Sequence, residues 1–531
     1  MMKAFSFAHP ILTSSSAKSY ESSLLEDEAD EWKAISAAGA GMAKALLLDY
    51  SEIRPVPDNI RVLALIGKGH NGGDALIACH ELLAVYPRAK ISVLLASNKD
   101  AMRPLTKRAL DQVEGRVEAQ TIPNDASKNA LLELLQERAG GEAFDICIDG
   151  LLGMSSSGAP RAPISDLISA INEFEAIDLR AAVDLPSGVN DATSDLFFRA
   201  DFCYCTGIPK HSVFHSHVPY GRVRYLDLGF FEGNSSAPAE TQAYVLTSST
   251  LDSLRRLRPA SVDKRKFGHL YVVGGSAFMP GALLMSVQAA VRSGVGLVTA
   301  FAPASVAATL AAQVPEAMWI AWPETSNGTL DPRAMPLLLD RLENRATAVL
   351  CGPGMGQDRN TELVAQNIVR NVEQPVLLDA DALRPKIIEQ APRRKAEWGP
   401  VVVTPHVGEY RRMSKASSSD LSNKTLCDFC KTYRLTTILK APLTRICDGE
   451  SVFYNTYGGP VLSRGGSGDI LAGLVGGMLA HGSLPVVERI ANGILLHGLA
   501  AQYLARDSGQ VTVQTTQILD YLPQVLRSRI D

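Results

Sequence analysis

Short, β-rich apolar runs recur along this chain, and almost every one ends in Gly, Asp, Ser or His before a helix-like segment begins. In the first half they fall at 61–66, 91–96, 146–149, 181–184 and 202–206. In the second half they read HLYVVGGS, GLVTAFAP, AVLCGPGMG, PVLLDADAL, VVVTPH and TTILKA. Strands separated by helices of this length specify α/β architecture, with parallel sheets covered on both faces. Such sheets bind ligands beyond the carboxyl ends of their strands, so the polar residues at those ends are the candidates for chemistry.

At 531 residues the chain exceeds what one core accommodates. The segment 231–243, GFFEGNSSAPAETQA in its neighbourhood, is small, polar and without periodicity, as linkers are. It divides the chain into domains expected at 1–235 and 244–531. Ahead of the first strand, 23–53 carries helical spacing and reads as two helices. A hydrophobic fraction of 46% and a charged fraction of 20% fit a globular protein. The net charge of -4 offers no electrostatic case for nucleic acid or an anionic membrane. The longest apolar segment, 470–480, holds three glycines and falls short of a membrane span. The start, MMKAFSFAHPILTSSS, is too short in its apolar part for a signal sequence. Eight scattered cysteines, several in apolar runs (Cys79, Cys147, Cys351), suit reduced core thiols, and a cytoplasmic location is expected. Cys427 and Cys430 form a CxxC on a helical segment with no second pair, which argues against zinc or redox use. His211, His215 and His217 lack ligand-spaced partners and read as a solvated loop.

In the first half, Gly67, Gly69 and Gly72 form GxGxxG between a strand and a helix, a pattern that admits a pyrophosphate or simply makes a tight turn. The acid that a hydride-transfer site needs at the next strand end is replaced by 95–98, LASN, which disfavours that chemistry. Asp149 and the Val183–Asp184–Leu185–Pro186–Ser187–Gly188 run stand at two further strand ends. Side-chain oxygens of Asn71, Asp149 and Ser187 suit a hard cation. Asp184 is placed as an acid or base with Lys210 as its partner; the alternative is that Asp149 and Asp184 only cap turns.

In the second half, Ser463–Arg464–Gly465–Gly466–Ser467–Gly468–Asp469 enters the helix ILAGLVGGMLAHG. Its backbone N–H groups and the helix dipole form an anion hole, and Asp469 can take a proton from a substrate hydroxyl, as phosphoryl transfer to an alcohol requires. The alternative is a structural glycine turn. The absence of GxxxxGK[ST] excludes the P-loop class. Asp379 and Asp381 either organise magnesium through water or cap a helix.

Taken in order, GKGHNGGD, DGLLGMSSSG, VDLPSG, TGIPK and RVRYLDLGF resemble the NAD(P)H-hydrate epimerase family over about residues 20–230. That resemblance implies a Rossmann-like three-layer domain with potassium on Asn71, Asp149 and Ser187. It implies hydrated NADH or NADPH on His70, Asn71, Gly72, Gly73, Asp74, Gly153, Met154, Ser155, Ser156, Ser157, Gly158, Ala159 and Asp184. Asp184 and Lys210 are then the pair that equilibrates the R and S configurations. The chain departs from the family at His70 (Asn), Ala75 (Gly), 153–155 (GTG) and after VDLPSG, where LDADTG has become VNDATSD. A binding-only front domain is the alternative to an active epimerase.

KFGHLYVVGGS, MPGALL, GPGMG, LLDADAL, TPHVGE, LKAPLT and GGSGD resemble the ADP- or ATP-dependent NAD(P)H-hydrate dehydratases, a ribokinase-like family, over about residues 245–525. The resemblance implies contacts to the hydrated nucleotide from Ala282, Gly354 or Gly356, His406 and Asp469. Lys440, Ala441, Pro442, Leu443, Thr444 and Gly468 would hold the adenosine phosphate. ADP is expected as phosphoryl donor, magnesium as cofactor, and a homo-oligomer as the assembly. Ser467 stands where the family has Thr, and Arg464 is expected to add charge near the phosphates. A ribokinase-like kinase of a small alcohol is the rival reading of this half.

Overall fold

The computed structural model describes residues 5–154, 156, 158–191, 195–214, 221–232, 241–342, 345–415 and 420–528. They form two compact units, one comprising 9–241 and the other 5–8 with 242–530. The division departs from the sequence expectation at the N-terminus, because Phe5–Ala8 are built into the second unit. A short strand, β1 (Ala8–Pro10), stands at one edge of that unit's sheet.

The first unit is a parallel sheet of β2 (Arg61–Ile66), β3 (Lys90–Leu95), β4 (Glu118–Thr121), β5 (Phe144–Gly150), β6 (Ile177–Val183), β7 (Phe202–Thr206) and β8 (Arg222–Leu226), ordered β4-β3-β2-β5-β6-β7-β8. The strand β2 shows why the run reads as continuously apolar. Val62, Ala64 and Ile66 enter one core and Leu63 and Leu65 the other, so both faces are covered. Strand order reverses between β2 and β5, and the crevice of such a sheet opens at that point. The segment 23–53 forms one long helix, Glu28–Tyr50, not two. Asp27 caps it by accepting from the Ala29 and Asp30 N–H groups, and Glu28, Asp30 and Glu31 favour its positive end. A separate helix, Ser14–Leu24, lies upstream.

The second unit is an eleven-stranded sheet containing β9 (Ala243–Leu246), β10 (His269–Val273), β11 (Leu297–Pro303), β12 (Met318–Trp322), β13 (Ala348–Cys351), β14 (Val376–Leu378), β15 (Val401–Val403), β16 (Leu435–Leu439), β17 (Thr444–Cys447) and β18 (Val452–Asn455). Its order is β1-β9-β18-β17-β16-β15-β14-β13-β10-β11-β12. The run from β16 to β12 is parallel, whereas β17 is antiparallel to both neighbours. The helix Ser467–Ala480 is buried on nearly every side. Its glycines permit close helix packing: a Cβ on Gly473 would stand 2.2 Å from the Ser286 carbonyl oxygen on the helix Pro280–Arg292. Among the described residues no helix is long and apolar enough to cross a membrane. All eight cysteines are free and buried.

The N-terminal residues are anchored by aromatic packing. The Phe5 ring lies edge-on to Tyr244 and Phe453 at 5.0 and 4.9 Å, Phe7 stacks on Phe453, and the Thr247 N–H donates to the Phe7 carbonyl. Phe7→Ala is therefore expected to destabilise the second unit by about 3 kcal/mol. Hydrogen exchange should show faster opening of β9 and β18 with β2–β5 unchanged; the reverse pattern would contradict the assignment of this strand.

Candidate functional site

In the first unit the carboxyl ends of β2, β5, β6 and β7 surround one pocket, lined by His70, Asn71, Asp74, Gly153, Met154, Asp184 and Lys210 among others. Asp184 follows β6 with φ at 63°, a conformation that costs a non-glycine residue about 1–3 kcal/mol and is stored at functional sites. Its carboxylate accepts from the Lys210 ammonium and, at 3.3 Å, from the Thr206 N–H and hydroxyl. Lys210 also donates to the Thr206 carbonyl at 3.0 Å. Both members of the pair are buried. Burial alone would disfavour the ammonium, yet the Asp184 carboxylate holds it well above its ordinary value.

Asn71, Asp149 and Ser187 stand at the ends of β2, β5 and β6. The Asp149 carboxylate accepts the Ser187 N–H at 2.7 Å and its hydroxyl at 2.6 Å. The Asn71 amide donates to the Leu152 and Val183 carbonyls, and the Leu152 N–H donates to the Ser187 hydroxyl. A Cβ on Gly153 would stand 2.3 Å from the Asn71 amide oxygen, so glycine there keeps the cluster intact. Burial raises Asp149 to about 6, the condition of a carboxylate enclosed among oxygens. The three side chains supply oxygen donors of the type that a hard cation takes.

Other sequence candidates are distributed more widely. Gly72 is buried in the helix His70–Val85 against the Gly67 carbonyl and, with Gly73, is not part of the pocket wall. Ser156, Gly158 and Ala159 continue the loop away from that wall; Ser155 and Ser157 lie outside the described residues, as do His215 and His217. Glu21, Glu31 and Arg103 line the pocket although sequence reasoning missed them. The helical segment bearing Glu31 reads as packing, and nothing in its spacing marks it as part of a site.

In the second unit the ends of β13, β14, β15 and β16 converge on the start of the helix Ser467–Ala480. Lys440 reaches Asp379 at 3.1 Å, and the Thr404 hydroxyl donates to the same carboxyl oxygen at 2.5 Å. A Cβ on Gly468 would lie 3.3 Å from the Lys440 nitrogen, which places that ammonium beside the helix N-terminus. Burial opposes the Lys440 charge, but Asp379 and then Glu409 hold it above its ordinary value. Asp469 is raised to about 7 by burial and then by Asp379, with Lys440 opposing. A carboxylate tuned to neutrality is the state a general base needs.

His406 caps the helix Val407–Ser414: its Nδ1 accepts from the Gly408 and Glu409 N–H groups, while the Glu409 carboxylate accepts from the His406 N–H. With Nδ1 accepting, Nε2 carries a ring proton and stands 3.5 Å from the Glu409 carboxylate. Gly354, at φ 63°, lies against Met279 and Ala282. The Gly356 N–H donates to Asp381, and the Thr444 hydroxyl folds back onto the Ala441 carbonyl, closing the 441–443 loop. Arg464 keeps its place beside the glycine turn, with its guanidinium donating to the Gln510 and Val511 carbonyls. His497, an unremarkable helix residue by sequence, bonds to the Ser467 backbone; burial and Lys440 lower it to about 4, so it is neutral.

Residues 270–524 match the family model for NAD(P)H-hydrate dehydratase, and residues 33–212 match that for the YjeF-related protein N-terminus. The bifunctional NAD(P)H-hydrate repair enzyme Nnr of Moorella thermoacetica is 30% identical over 482 residues, covering 88% of each chain. The enzyme of the same name from Coxiella burnetii is 28% identical over 507 residues, covering 94% of this chain and 95% of its own. Among solved structures, the ADP/ATP-dependent NAD(P)H-hydrate dehydratase of Bacillus subtilis, co-crystallised with ATP and Mg2+, is 26% identical with a TM-score of 0.44. It covers 52% of this chain and 96% of its own.

The Asp469 environment carries a stability consequence. Its folded pKa of about 7 lies above the unfolded value of about 3.9, so the folded state binds the proton more tightly and loses stability as pH rises between the two. Asp469→Asn is thus expected to exceed the parent in stability at about pH 8 by roughly 1–3 kcal/mol, allowing for solvent screening, and to lose that advantage near pH 4. Thermal unfolding at the two pH values checks this; a variant less stable at both would contradict it.

Proposed function

The chain belongs to the bifunctional NAD(P)H-hydrate repair enzymes, and from that premise we propose that its first unit epimerises R and S hydrates of NADH and NADPH while its second dehydrates the S form at the expense of ADP. The observation that carries the dehydratase reading is Asp469, a carboxylate raised to about 7 at the mouth of a buried helix with Lys440 beside it.

In the proposed reaction Asp469 removes the proton of the ring hydroxyl. The alkoxide oxygen attacks the terminal phosphorus of ADP, and the bond to the bridging oxygen breaks to release AMP. Phosphate then leaves the ring carbon as the ring nitrogen lone pair assists, and loss of a neighbouring ring proton restores the dihydronicotinamide. Hydroxide is a poor leaving group and phosphate a good one, which explains a kinase-like anion hole in a dehydratase. The helix N-terminus at Gly468 and the Lys440 ammonium face the charge that develops on the phosphoryl oxygens. Ala282, Gly354, Gly356 and the His406 ring would position the hydrated ring, and the 441–444 loop the adenosine phosphate. Magnesium would be held by Asp379 and Asp381 together with phosphate oxygens, the usual way this ion binds, and would neutralise phosphate charge.

In the first unit Asp184, fixed by Lys210, faces the hydrated carbon among His70, Asn71, Asp74, Gly153 and Met154. Asn71, Asp149 and Ser187 would hold potassium, whose charge would favour the ionised form of Asp149 and a phosphate nearby. The kept Asp184–Lys210 pair supports epimerisation over a binding-only domain, despite the altered residues at His70 and 153–155. Eight buried free thiols support a cytoplasmic location.

Asp469→Asn is expected to lower turnover of S hydrate by about 10³-fold, with ADP binding kept and R-to-S conversion intact. Asp184→Asn should show the opposite pattern. The parent's dehydration rate should rise with pH through about 7 and level off above it, because Asp469 must be ionised. Normal S-hydrate turnover by Asp469→Asn, measured from the recovered near-ultraviolet absorbance of the reduced ring, would overturn the assignment.

A further inference from the structure

Asp74 sits on the first turn of the helix His70–Val85 and is only 7% exposed, with that exposure opening onto the pocket of Asp184 and Lys210. An ionised carboxylate so deeply buried ordinarily collects hydrogen-bond donors. Among the described residues none reaches the Asp74 carboxyl group. The nearby cations are committed elsewhere: Lys210 to Asp184 and the Thr206 carbonyl, Arg103 to His70. The remaining charged groups facing the pocket are Glu21 of the helix Ser14–Leu24, Glu31 of the helix Glu28–Tyr50 and Asp184 beyond β6. Four carboxyl groups therefore share two cations in a confined space, and full ionisation would leave uncompensated negative charge. Burial, then Asp184 and Glu21, push Asp74 well above the carboxylate range against the pull of Lys210; burial also raises Glu21.

We propose that Asp74 is the proton donor to the ring hydroxyl in the front unit, while the Asp184–Lys210 pair remains ionised. The proposal rests on the epimerase reading above. The Asp74 O–H gives its proton to the hydroxyl oxygen, and the C–O bond breaks with its electron pair on oxygen. The ring nitrogen lone pair closes a C=N bond bearing positive charge, and water departs. The Asp184 carboxylate is the counter-charge for this cation. Water then adds to the opposite face, the C=N pair returns to nitrogen, and the surplus proton goes back to Asp74. Nothing is oxidised or reduced, and only the configuration at carbon changes.

The test is R-to-S conversion by the full chain with pure R hydrate and no ADP, for the parent, Asp74→Asn and Asp74→Glu across a pH series. The parent rate should fall as pH rises past the titration of Asp74, since the donor must hold its proton. Asp74→Asn should lower kcat by about 10²-fold with KM within threefold and without that high-pH decline. Asp74→Glu, which keeps a proton, should recover part of the rate. Asp74→Asn with parental kcat, with the parental pH decline, or with its whole defect in KM would overturn the proton role and leave the epimerase reading standing. A parent enzyme that leaves R hydrate unconverted would overturn both.

Discussion

One lysine can neutralise one carboxylate, not two, and each unit of this protein is arranged around that limit. Lys210 goes to Asp184 and Lys440 to Asp379. In each unit a second carboxyl group, Asp74 or Asp469, is left in the same poorly solvated space, and its pKa rises for the same two reasons, burial and a like charge. The outcome differs with solvent access and with the charge around it. Asp469 comes to about 7, where it can act as a base near neutrality, whereas the more deeply buried Asp74 is held well above the carboxylate range. Two separate sheets therefore arrive at one electrostatic device, to which the proposed reactions give opposite proton duties.

Backbone geometry holds these charges in place. Asp184 adopts a left-handed conformation, and glycines at 153, 354 and 468 stand where a side chain would strike the amide of Asn71, the Met279 carbonyl or the Lys440 ammonium. The device is thus fixed by strand ends and tight turns. Burial is the largest influence at both raised carboxyl groups, so the core acts on function through pKa as well as through stability.

The strand ends were the legible part of the sequence. Apolar runs terminating in Asp149, Asp184, Asp379, Thr404 and Lys440 are local patterns, and in α/β sheets such ends converge by rule. The glycine motif at 465–468 was legible for the same reason. Features that depend on distant partners were not. Phe5 and Phe7 join the second unit through Tyr244 and Phe453, more than two hundred residues away, and nothing in MMKAFSFAHP announces it. Neither Glu31 nor His497 stands in a spacing that marks it as part of a site. Each acquires its role only from what folds against it.

The account's central claim is that both units are chemically competent and act in sequence. The direct measurement is recovery of the reduced nicotinamide absorbance from an equimolar mixture of R and S hydrated NADH with ADP and magnesium, followed to completion under conditions where uncatalysed epimerisation is slow. The account predicts two phases, dehydration of the S fraction followed by full recovery as the R fraction is epimerised. A trace that halts once the S fraction is consumed would contradict epimerisation by the first unit, and no recovery at all would contradict the dehydratase as well.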